Sequence, residues 1–391
     1  MKTASRLNNV TYAVRDVVVA AQKLEAQGKK ILKLNIGDPC AYDFDTPQYL
    51  KDALVKAVNE GHNGYSDSQG FIGLRQAVCE NNKKKGFESQ PEDVVVSNGL
   101  SEACHLLFGA LLDSGDNVLL PSPDYPLYSA FANYYGAEPR YYNLDEENDW
   151  APNWDDLRAK TDARTRAMVL INPGNPTGAV YGAKTVKKAI DFAGEHDIPL
   201  LSDEIYDDFI FEGSWTSTAA LTSDVPVISM NGLSKNYFAP GWKIGWFSFQ
   251  NFPDDDYKQA VLKIARTRLS SNNPCEHAAE AALRNENPEH AAAKQKLKRR
   301  RDLAFKLLNE INGVSCTKPR GAFYAFPRLD TNKWKSDKDF VMQLLEEKSV
   351  LTVFGEGFGQ KPGTKHFRIV FLPDEQTLTQ AIGKIKELVE S

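Results

Sequence analysis

Between about residue 50 and residue 280, this sequence alternates short apolar runs with helix-like stretches, and that alternation constrains the fold more than any other feature. The runs are apolar or β-branched without a polar residue at every second position, which is typical of strands buried on both faces. They cover residues 94–96, 118–120, 167–171, 199–201, 227–230 and 244–247. Helical patterns separate several of them, at 101–112, 126–135 and 183–196. The pattern predicts an α/β protein with a doubly wound, mostly parallel sheet.

The pattern changes after about residue 290. A long charged helix is predicted over 291–309, and helices at 336–348 and 374–389 then alternate with strand-like runs at 314–316, 322–326, 350–354 and 367–372. Residues 31–36 are also strand-like and are expected to join this part. A chain of 391 residues exceeds one core of usual size. We therefore expect a large domain over residues 46–285 and a smaller α+β domain built from residues 1–45 and 286–391.

Composition excludes several classes of protein. The net charge of −5 argues against a general nucleic-acid binder, because binding phosphate needs a basic excess. The basic run at 294–301 is interpreted as a solvated helix face, with Leu297 and Leu303 marking its buried side. No apolar stretch approaches the length of a membrane-spanning helix.

Cysteine usage and the N-terminus favour a cytoplasmic protein. Residues 1–9 contain no apolar segment typical of an export signal. The five cysteines are scattered and never form a Cys-x-x-Cys pair, so we expect reduced thiols rather than disulfides. The six histidines are equally dispersed, and no metal site is expected.

Several strand-like runs are followed by loops suited to a ligand. In open α/β sheets, ligands bind at the carboxyl ends of the strands. Residues 97–102 form a glycine turn that opens a helix, where backbone N–H groups attract phosphate. Prolines on both sides of Tyr125 fix its loop and leave the ring placed to stack on a flat molecule. The rigid Asn-Pro-Thr-Gly loop that begins at Asn175 carries a side-chain donor.

An acid, a phenol and a lysine follow the next two runs. Asp203 and Tyr206 come after residues 198–201, and Lys235 comes after residues 225–228. A lysine amine forms a Schiff base with an aldehyde, and a carboxylate keeps a pyridinium nitrogen protonated. Taken singly, Lys235 is a surface lysine and Asp203 a helix cap. The succession of suitable groups at five strand ends instead indicates a pyridoxal 5′-phosphate site.

With these residues in place, the sequence resembles the fold-type I pyridoxal-phosphate enzymes, specifically the class I/II aminotransferases. Within that family it looks most like the alanine aminotransferases of archaea and bacteria. The similarity extends over essentially the whole chain. The segments that carry it are residues 34–39, 61–70, 108–113, 230–235 and 321–324.

The resemblance implies roles for individual residues. Lys235 would bind the cofactor covalently and then move the substrate proton, while Asp203 would pair with the pyridinium nitrogen. Tyr206 and Asn175 would hold the phenolic oxygen, and Tyr125 would stack on the ring. The phosphate would be held by Leu100, Ser101, Ser234 and Lys243.

The resemblance also implies how substrate and partner bind. Arg368 would clamp the substrate carboxylate, and Gly37 would lie over the substrate on a mobile N-terminal segment. Tyr65 would reach the phosphate of a partner subunit, which makes the enzyme a homodimer. The position of Lys243 is usually arginine in the family, so cofactor affinity is expected to be lower. Gly232 replaces a serine that binds phosphate in many relatives.

The activity implied is ping-pong transfer of the amino group between L-alanine and 2-oxoglutarate, giving pyruvate and L-glutamate. An aspartate or broad-specificity aminotransferase and a C–S β-lyase share the same cofactor site and remain alternatives. An aminotransferase-like transcription regulator is disfavoured, because the aminotransferase pattern begins within the first few dozen residues.

Overall fold

A computed structural model describes residues 3–4, 6–7, 10 and 13–391. Part of the N-terminal stretch expected to lack an export signal lies outside the described residues. The helices are α1 (Ala13–Ala26), α2 (Gln48–Asn59), α3 (Ile72–Lys84), α4 (Leu100–Leu111), α5 (Leu127–Tyr134), α6 (Trp154–Ala159), α7 (Ala183–Glu195), α8 (Leu233–Asn236), α9 (Asp256–Thr267), α10 (Asn273–Arg284), α11 (His290–Asn309), α12 (Asp337–Lys348) and α13 (Glu375–Glu390).

Most strands overlap the predicted runs, but residues 138–145, 151–152 and 328–329 form strands that were not predicted. They are β1 (Leu32–Lys33), β2 (Val94–Ser97), β3 (Asn117–Ser122), β4 (Glu138–Asp145), β5 (Ala151–Pro152), β6 (Thr165–Ile171), β7 (Leu200–Asp203), β8 (Val227–Gly232), β9 (Gly245–Gln250), β10 (Val314–Ser315), β11 (Tyr324–Ala325), β12 (Arg328–Leu329), β13 (Val350–Leu351), β14 (Val353–Phe354) and β15 (Phe367–Val370).

One sheet contains eight of these strands, in the order β2-β9-β8-β7-β6-β3-β4-β5. The five consecutive strands β8, β7, β6, β3 and β4 are parallel to one another. Strand β9 is antiparallel to both β2 and β8, and β5 is antiparallel to β4. The prediction of an α/β fold with a mostly parallel sheet is therefore confirmed.

Helices cover both faces of this sheet, which explains why its strands are apolar throughout. In β3, Val118 and Leu120 pack into the cluster that contains Phe108 and Val261, from α4 and α9. Leu119, between them, packs into the cluster that contains Ile190 of α7. Successive side chains of a strand point to opposite faces, so both faces must be apolar here.

The N-terminal strand pairs with the C-terminal part of the chain. Strand β1 is parallel to β13, with Leu32 opposite Val350 and Lys33 opposite Leu351. In the same C-terminal part of the chain, strands β11, β15 and β14 form a separate three-stranded antiparallel sheet. The division into residues 46–285 and residues 1–45 with 286–391 stays a proposal, which this pairing supports.

The basic run on α11 differs from its interpretation as a solvated face. Arg300 and Arg301 are only 2% and 0% exposed. Arg300 donates to Asp43 and to the carbonyl of Leu372, and Arg301 donates to Glu212 and to the carbonyl of Pro319. The expectation is wrong at these two residues because distant acceptors neutralise each guanidinium, so that burial is tolerated.

Among the residues that the structure describes, none of the helices combines the length and the apolar character that crossing a membrane requires.

Candidate active site

The loops that follow β2, β3, β6, β7 and β8 meet at one edge of the large sheet and line a cavity of about 440 Å³. Parallel strands bring their carboxyl ends to the same edge, which is why residues far apart in sequence meet here. Every residue predicted for the site lines this cavity except Tyr65. Those that do are Gly37, Leu100, Ser101, Tyr125, Asn175, Asp203, Tyr206, Ser234, Lys235, Lys243 and Arg368.

Lys235 lies on the four-residue helix α8, directly after β8. Its Nζ donates a hydrogen bond of 2.5 Å to the carbonyl oxygen of Gly37, which comes from the N-terminal part of the chain. Burial, together with the positive charges of Arg368 and Lys243, lowers the pKa of the Lys235 amine to about 8. The charges of Asp38 and Asp203 oppose this change. A substantial fraction of this amine is therefore neutral near pH 8 and available as a nucleophile or base.

Asp203 is the last residue of β7 and is buried. Its Oδ2 accepts a 2.6 Å hydrogen bond from the hydroxyl of Tyr128, and its Oδ1 accepts one from the backbone N–H of Ile205. Burial raises the pKa of this carboxyl to about 6, although those two hydrogen bonds oppose the change. A cationic ring nitrogen placed beside Asp203 would favour its charged form and restore an ordinary ion pair.

Tyr206 follows Asp203 on the same loop and forms a hydrogen bond with a second phenol. The hydroxyls of Tyr206 and Tyr324 lie 2.8 Å apart. Both side chains are buried, and both line the cavity. Tyr324 was not predicted as a site residue, although the motif over residues 321–324 that contains it was recognised.

Arg368, on β15, is a fully buried cation that lines the same cavity. Its Nη1 donates to Oδ1 of Asn175 at 3.0 Å, and its Nη2 donates to the carbonyl of Asn35 at 2.6 Å. The guanidinium is 4.7 Å from the ring centroids of both Tyr324 and Phe358. Within the described part of the chain, its buried Nε has no hydrogen-bond partner and no carboxylate forms an ion pair with it. A buried cation with free donors favours an anionic ligand, and a planar carboxylate matches its geometry.

Asn175 is oriented by this contact. Because its amide oxygen accepts from Arg368, the Nδ2 group remains as the donor that the sequence predicted for this loop. Asn35 was not predicted, because a backbone carbonyl leaves no signal in residue type.

The start of α4 and Lys243 form a cationic end of the cavity. Gly99 precedes the helix with φ of 75°, a conformation that favours glycine. A Cβ added to Gly99 would lie 3.2 Å from Nζ of Lys243, so the ammonium lies beside the helix start. Helix N-termini and ammonium groups both attract phosphate, and the hydroxyl-bearing Ser101 and Ser234 line the same cavity.

A buried polar cluster supports the site from behind. The carboxylate of Asp207 accepts from Lys85, Asn231 and Asn236. Asn236 is the residue after Lys235, and Asp207 is the residue after Tyr206. The cluster thus connects the loop that follows β7 to the helix that carries Lys235, and this connection was not predicted from the sequence.

Tyr65 lies outside the cavity, and it is 80% exposed. From this position it does not contact the site of its own chain.

Comparison with known proteins places the chain in a family. A family model described as "Aminotransferase class I and II" matches residues 29–385. The chain belongs to the class I and II aminotransferases. This aminotransferase is 38% identical over 398 residues to the alanine aminotransferase of Mycobacterium tuberculosis, covering 99% of this chain and 92% of that protein. It is 37% identical over 394 residues to the glutamate-pyruvate aminotransferase AlaA of Escherichia coli K12, covering 98% and 96%.

Solved structures agree with this assignment. The alanine aminotransferase of Pyrococcus furiosus superposes on this aminotransferase with a TM-score of 0.97 at 46% identity, over 100% of both chains. The tyrosine aminotransferase of Leishmania infantum gives a TM-score of 0.92 at 27% identity, over 100% of this chain and 98% of that one. The aminotransferase therefore has the fold-type I architecture, takes amino acids and 2-oxo acids as substrates, and uses pyridoxal 5′-phosphate.

The residues present fit that cofactor. A buried carboxyl with a raised pKa, a buried amine with a lowered pKa and a cationic helix start surround one cavity. These are the groups that a pyridinium nitrogen, an aldehyde and a phosphate each require.

Proposed function

We propose that this aminotransferase transfers the amino group of L-alanine to 2-oxoglutarate, giving pyruvate and L-glutamate. The observation that carries the proposal is Arg368, a buried guanidinium with free donors that faces the same cavity as the Lys235 amine. It supplies a site for the carboxylate that every amino acid and 2-oxo acid carries. The names of the Mycobacterium, Escherichia and Pyrococcus relatives support alanine, pyruvate and glutamate in particular.

When bound, the cofactor supplies an aldehyde that takes up the substrate's amino group and a ring that withdraws electrons from the adjacent carbon. Lys235 would hold the cofactor and then, as a neutral amine, take the proton from the substrate Cα. Asp203 would keep the ring nitrogen protonated. Tyr206 and the Nδ2 group of Asn175 would donate to the phenolic oxygen.

The phosphate would be held by the start of α4 together with Lys243. The N–H groups of Leu100 and Ser101 and the hydroxyls of Ser101 and Ser234 would donate to it. Tyr125 would stack on the ring. Lysine at position 243 binds phosphate as a point charge without the paired donors of arginine, so we expect weaker cofactor binding than an arginine would give.

The substrate would bind between Arg368 and Gly37. The cavity's cations, among the described residues, are Lys235, Lys243 and Arg368, and each has a role in this scheme. The methyl group of alanine requires no further cation. The side-chain carboxylate of aspartate would require one, and so would that of the acceptor 2-oxoglutarate, so the choice of alanine over aspartate is supported by the relatives named above.

We also propose that the enzyme is a cytoplasmic homodimer. Tyr65 is highly exposed on its own chain, and exposed tyrosines are common at interfaces. In a dimer, its hydroxyl would reach the phosphate held by the partner subunit. The active site would then be complete only in the dimer.

The test is the product balance of the purified enzyme with alanine and 2-oxoglutarate. We expect pyruvate and glutamate to form in equal amounts, without release of ammonia. Ammonia and pyruvate from cystathionine, in the absence of an oxo acid, would favour the C–S β-lyase instead. A higher kcat/KM for aspartate than for alanine would favour the aspartate alternative.

A further inference from the structure

Two buried phenols that line the cavity, those of Tyr206 and Tyr324, form a hydrogen bond with each other, and the proposed function gives a role only to Tyr206. Tyr206 follows β7, whereas Tyr324 belongs to β11 and is held opposite Val370 of β15. Their hydroxyls are 2.8 Å apart, and their rings are perpendicular at 5.6 Å. The two side chains are 4% and 2% exposed, so water does not compete for this hydrogen bond.

Tyr324 also contacts residues at the substrate end of the cavity. Its ring lies 4.7 Å from the guanidinium carbon of Arg368. A Cβ added to Gly37 would overlap its hydroxyl and lie 2.8 Å from its Cζ, so its phenol rests directly on that glycine. Gly37 in turn accepts the hydrogen bond from Lys235. Tyr324 thus contacts a proposed cofactor residue and two proposed substrate residues.

Either hydroxyl can donate in this hydrogen bond, and the two directions differ in the proton that they leave for the cofactor. Each phenol has one proton to donate and can still accept. If Tyr206 donates to Tyr324, its proton is not available to the cofactor. If Tyr324 donates to Tyr206, the proton of Tyr206 remains available, and the accepted bond makes Tyr206 a stronger donor.

We propose that Tyr324 is a positioning residue that donates its hydroxyl proton to Tyr206 and thereby directs the proton of Tyr206 to the phenolic oxygen of the cofactor. This role rests on the proposed function of Tyr206. Through its contacts with Arg368 and Gly37, the same side chain links that hydrogen bond to the place where the substrate carboxylate binds.

The surroundings of Tyr206 keep its phenol protonated. Burial is the largest cause that raises the pKa of Tyr206, so its hydroxyl stays protonated through the neutral range and has a proton to donate. The ionisable groups that act on Tyr206 include Tyr324, Tyr125 and Asp203. Those that act on the adjoining amine of Lys235 include Asp38, Arg368, Lys243 and Asp203.

The test replaces Tyr324 with phenylalanine, which keeps the ring against Arg368 and Gly37 and removes only the hydroxyl. The holoenzyme is titrated with pH while the visible absorption band of its cofactor is recorded. A donor to the phenolic oxygen stabilises its deprotonated form, so a weaker donor should raise the apparent pKa of the band. We expect Tyr324→Phe to raise it by about half a pKa unit and Tyr206→Phe to raise it more. The double variant should titrate like Tyr206→Phe alone, because Tyr324 acts through Tyr206.

Tyr142→Phe is the matched control. Tyr142 is equally buried and donates one hydrogen bond, to the carbonyl of Val169, outside the cavity. The cofactor band of Tyr142→Phe should titrate with the same apparent pKa as that of the wild type.

Two results would overturn the role of Tyr324 alone: a wild-type titration curve in Tyr324→Phe, or shifts of the two single variants that add fully in the double variant. A wild-type protein that shows no cofactor band after reconstitution would overturn the proposed function itself, and the role of Tyr324 with it.

Discussion

Replacing Arg368 with lysine isolates the contribution of its paired donors from that of its charge. The guanidinium has five N–H groups, of which one binds Asn175 and one binds the carbonyl of Asn35. The Nε group, among the residues described, is left without a partner. The arginine can therefore hold both neighbours and still offer two N–H groups to a carboxylate. Lysine carries the same charge but only three donors, with no planar pair.

The size of the effect follows from that loss. A hydrogen bond between charged groups contributes about 1.5–3 kcal/mol. Lysine would lose about one such bond to the substrate, and a factor of ten corresponds to about 1.4 kcal/mol. We expect kcat/KM for alanine and for pyruvate to fall by about 10- to 100-fold, since both molecules carry the carboxylate. The absorption band of the bound cofactor should remain.

The assay is steady-state kinetics of both half-reactions, beside thermal unfolding of each variant. Arg301→Lys is the matched control, because Arg301 is also buried and binds a carboxylate and a backbone carbonyl, but outside the cavity. It should lower the unfolding temperature without raising KM. An unchanged kcat/KM in Arg368→Lys, or an equal loss in Arg301→Lys, would refute the assignment of Arg368 to the substrate carboxylate.

Three further substitutions test the site. Lys235→Met should abolish turnover while circular dichroism shows an intact fold, and any near-wild-type rate would remove Lys235 from the mechanism. Burial lowers the pKa of Lys235 from 10.5 in the unfolded chain to about 8 in the folded protein. Below pH 8 the folded protein therefore contains a buried charged amine, which lowers the free energy of unfolding most in that range. In urea denaturation at pH 7, cofactor-free Lys235→Met should therefore have a free energy of unfolding about 2–3 kcal/mol higher than that of the wild type. The difference should vanish above about pH 10.5. Equal free energies of unfolding at pH 7 would contradict a buried amine that destabilises the fold. Asp203→Asn should keep the cofactor but lose at least ~100-fold in kcat, because a neutral amide cannot hold the ring nitrogen protonated, and a wild-type rate would exclude that role. Gly37→Ala should raise the KM for alanine at least several-fold, because the added methyl overlaps the hydroxyl of Tyr324; an unchanged KM would show that this contact does not matter for substrate binding.

Much of the site was predictable because it depends on local order along the chain. A buried parallel strand followed by a polar loop is visible in sequence, and the parallel arrangement then brings the loops together. Asp203, Tyr206 and Lys235 were found in this way. Their neighbours Tyr128 and Tyr324 were not, because their contacts join residues 75 and 118 positions apart.

Other features depend on partners that no local pattern reveals. Strand β4 was missed because Glu138, Arg140 and Asp145 interrupt any apolar run, as the location of this strand near the sheet edge allows. The antiparallel direction of β9 is likewise set by its pairing rather than by its composition. The burial of Arg300 could not be predicted from a run of basic residues, since it depends on Asp43, far away in sequence.

In the proposed function, one cavity binds the cofactor at Lys235 and the substrate carboxylate at Arg368, with alanine as the amino donor. The most direct measurement is the visible absorption spectrum of the purified holoenzyme, recorded before and after addition of L-alanine and then of pyruvate. We expect the cofactor band to fade with alanine and to return with pyruvate. A band that alanine leaves unchanged would contradict alanine as the donor. The absence of any band after reconstitution with pyridoxal 5′-phosphate would contradict the cofactor site at Lys235.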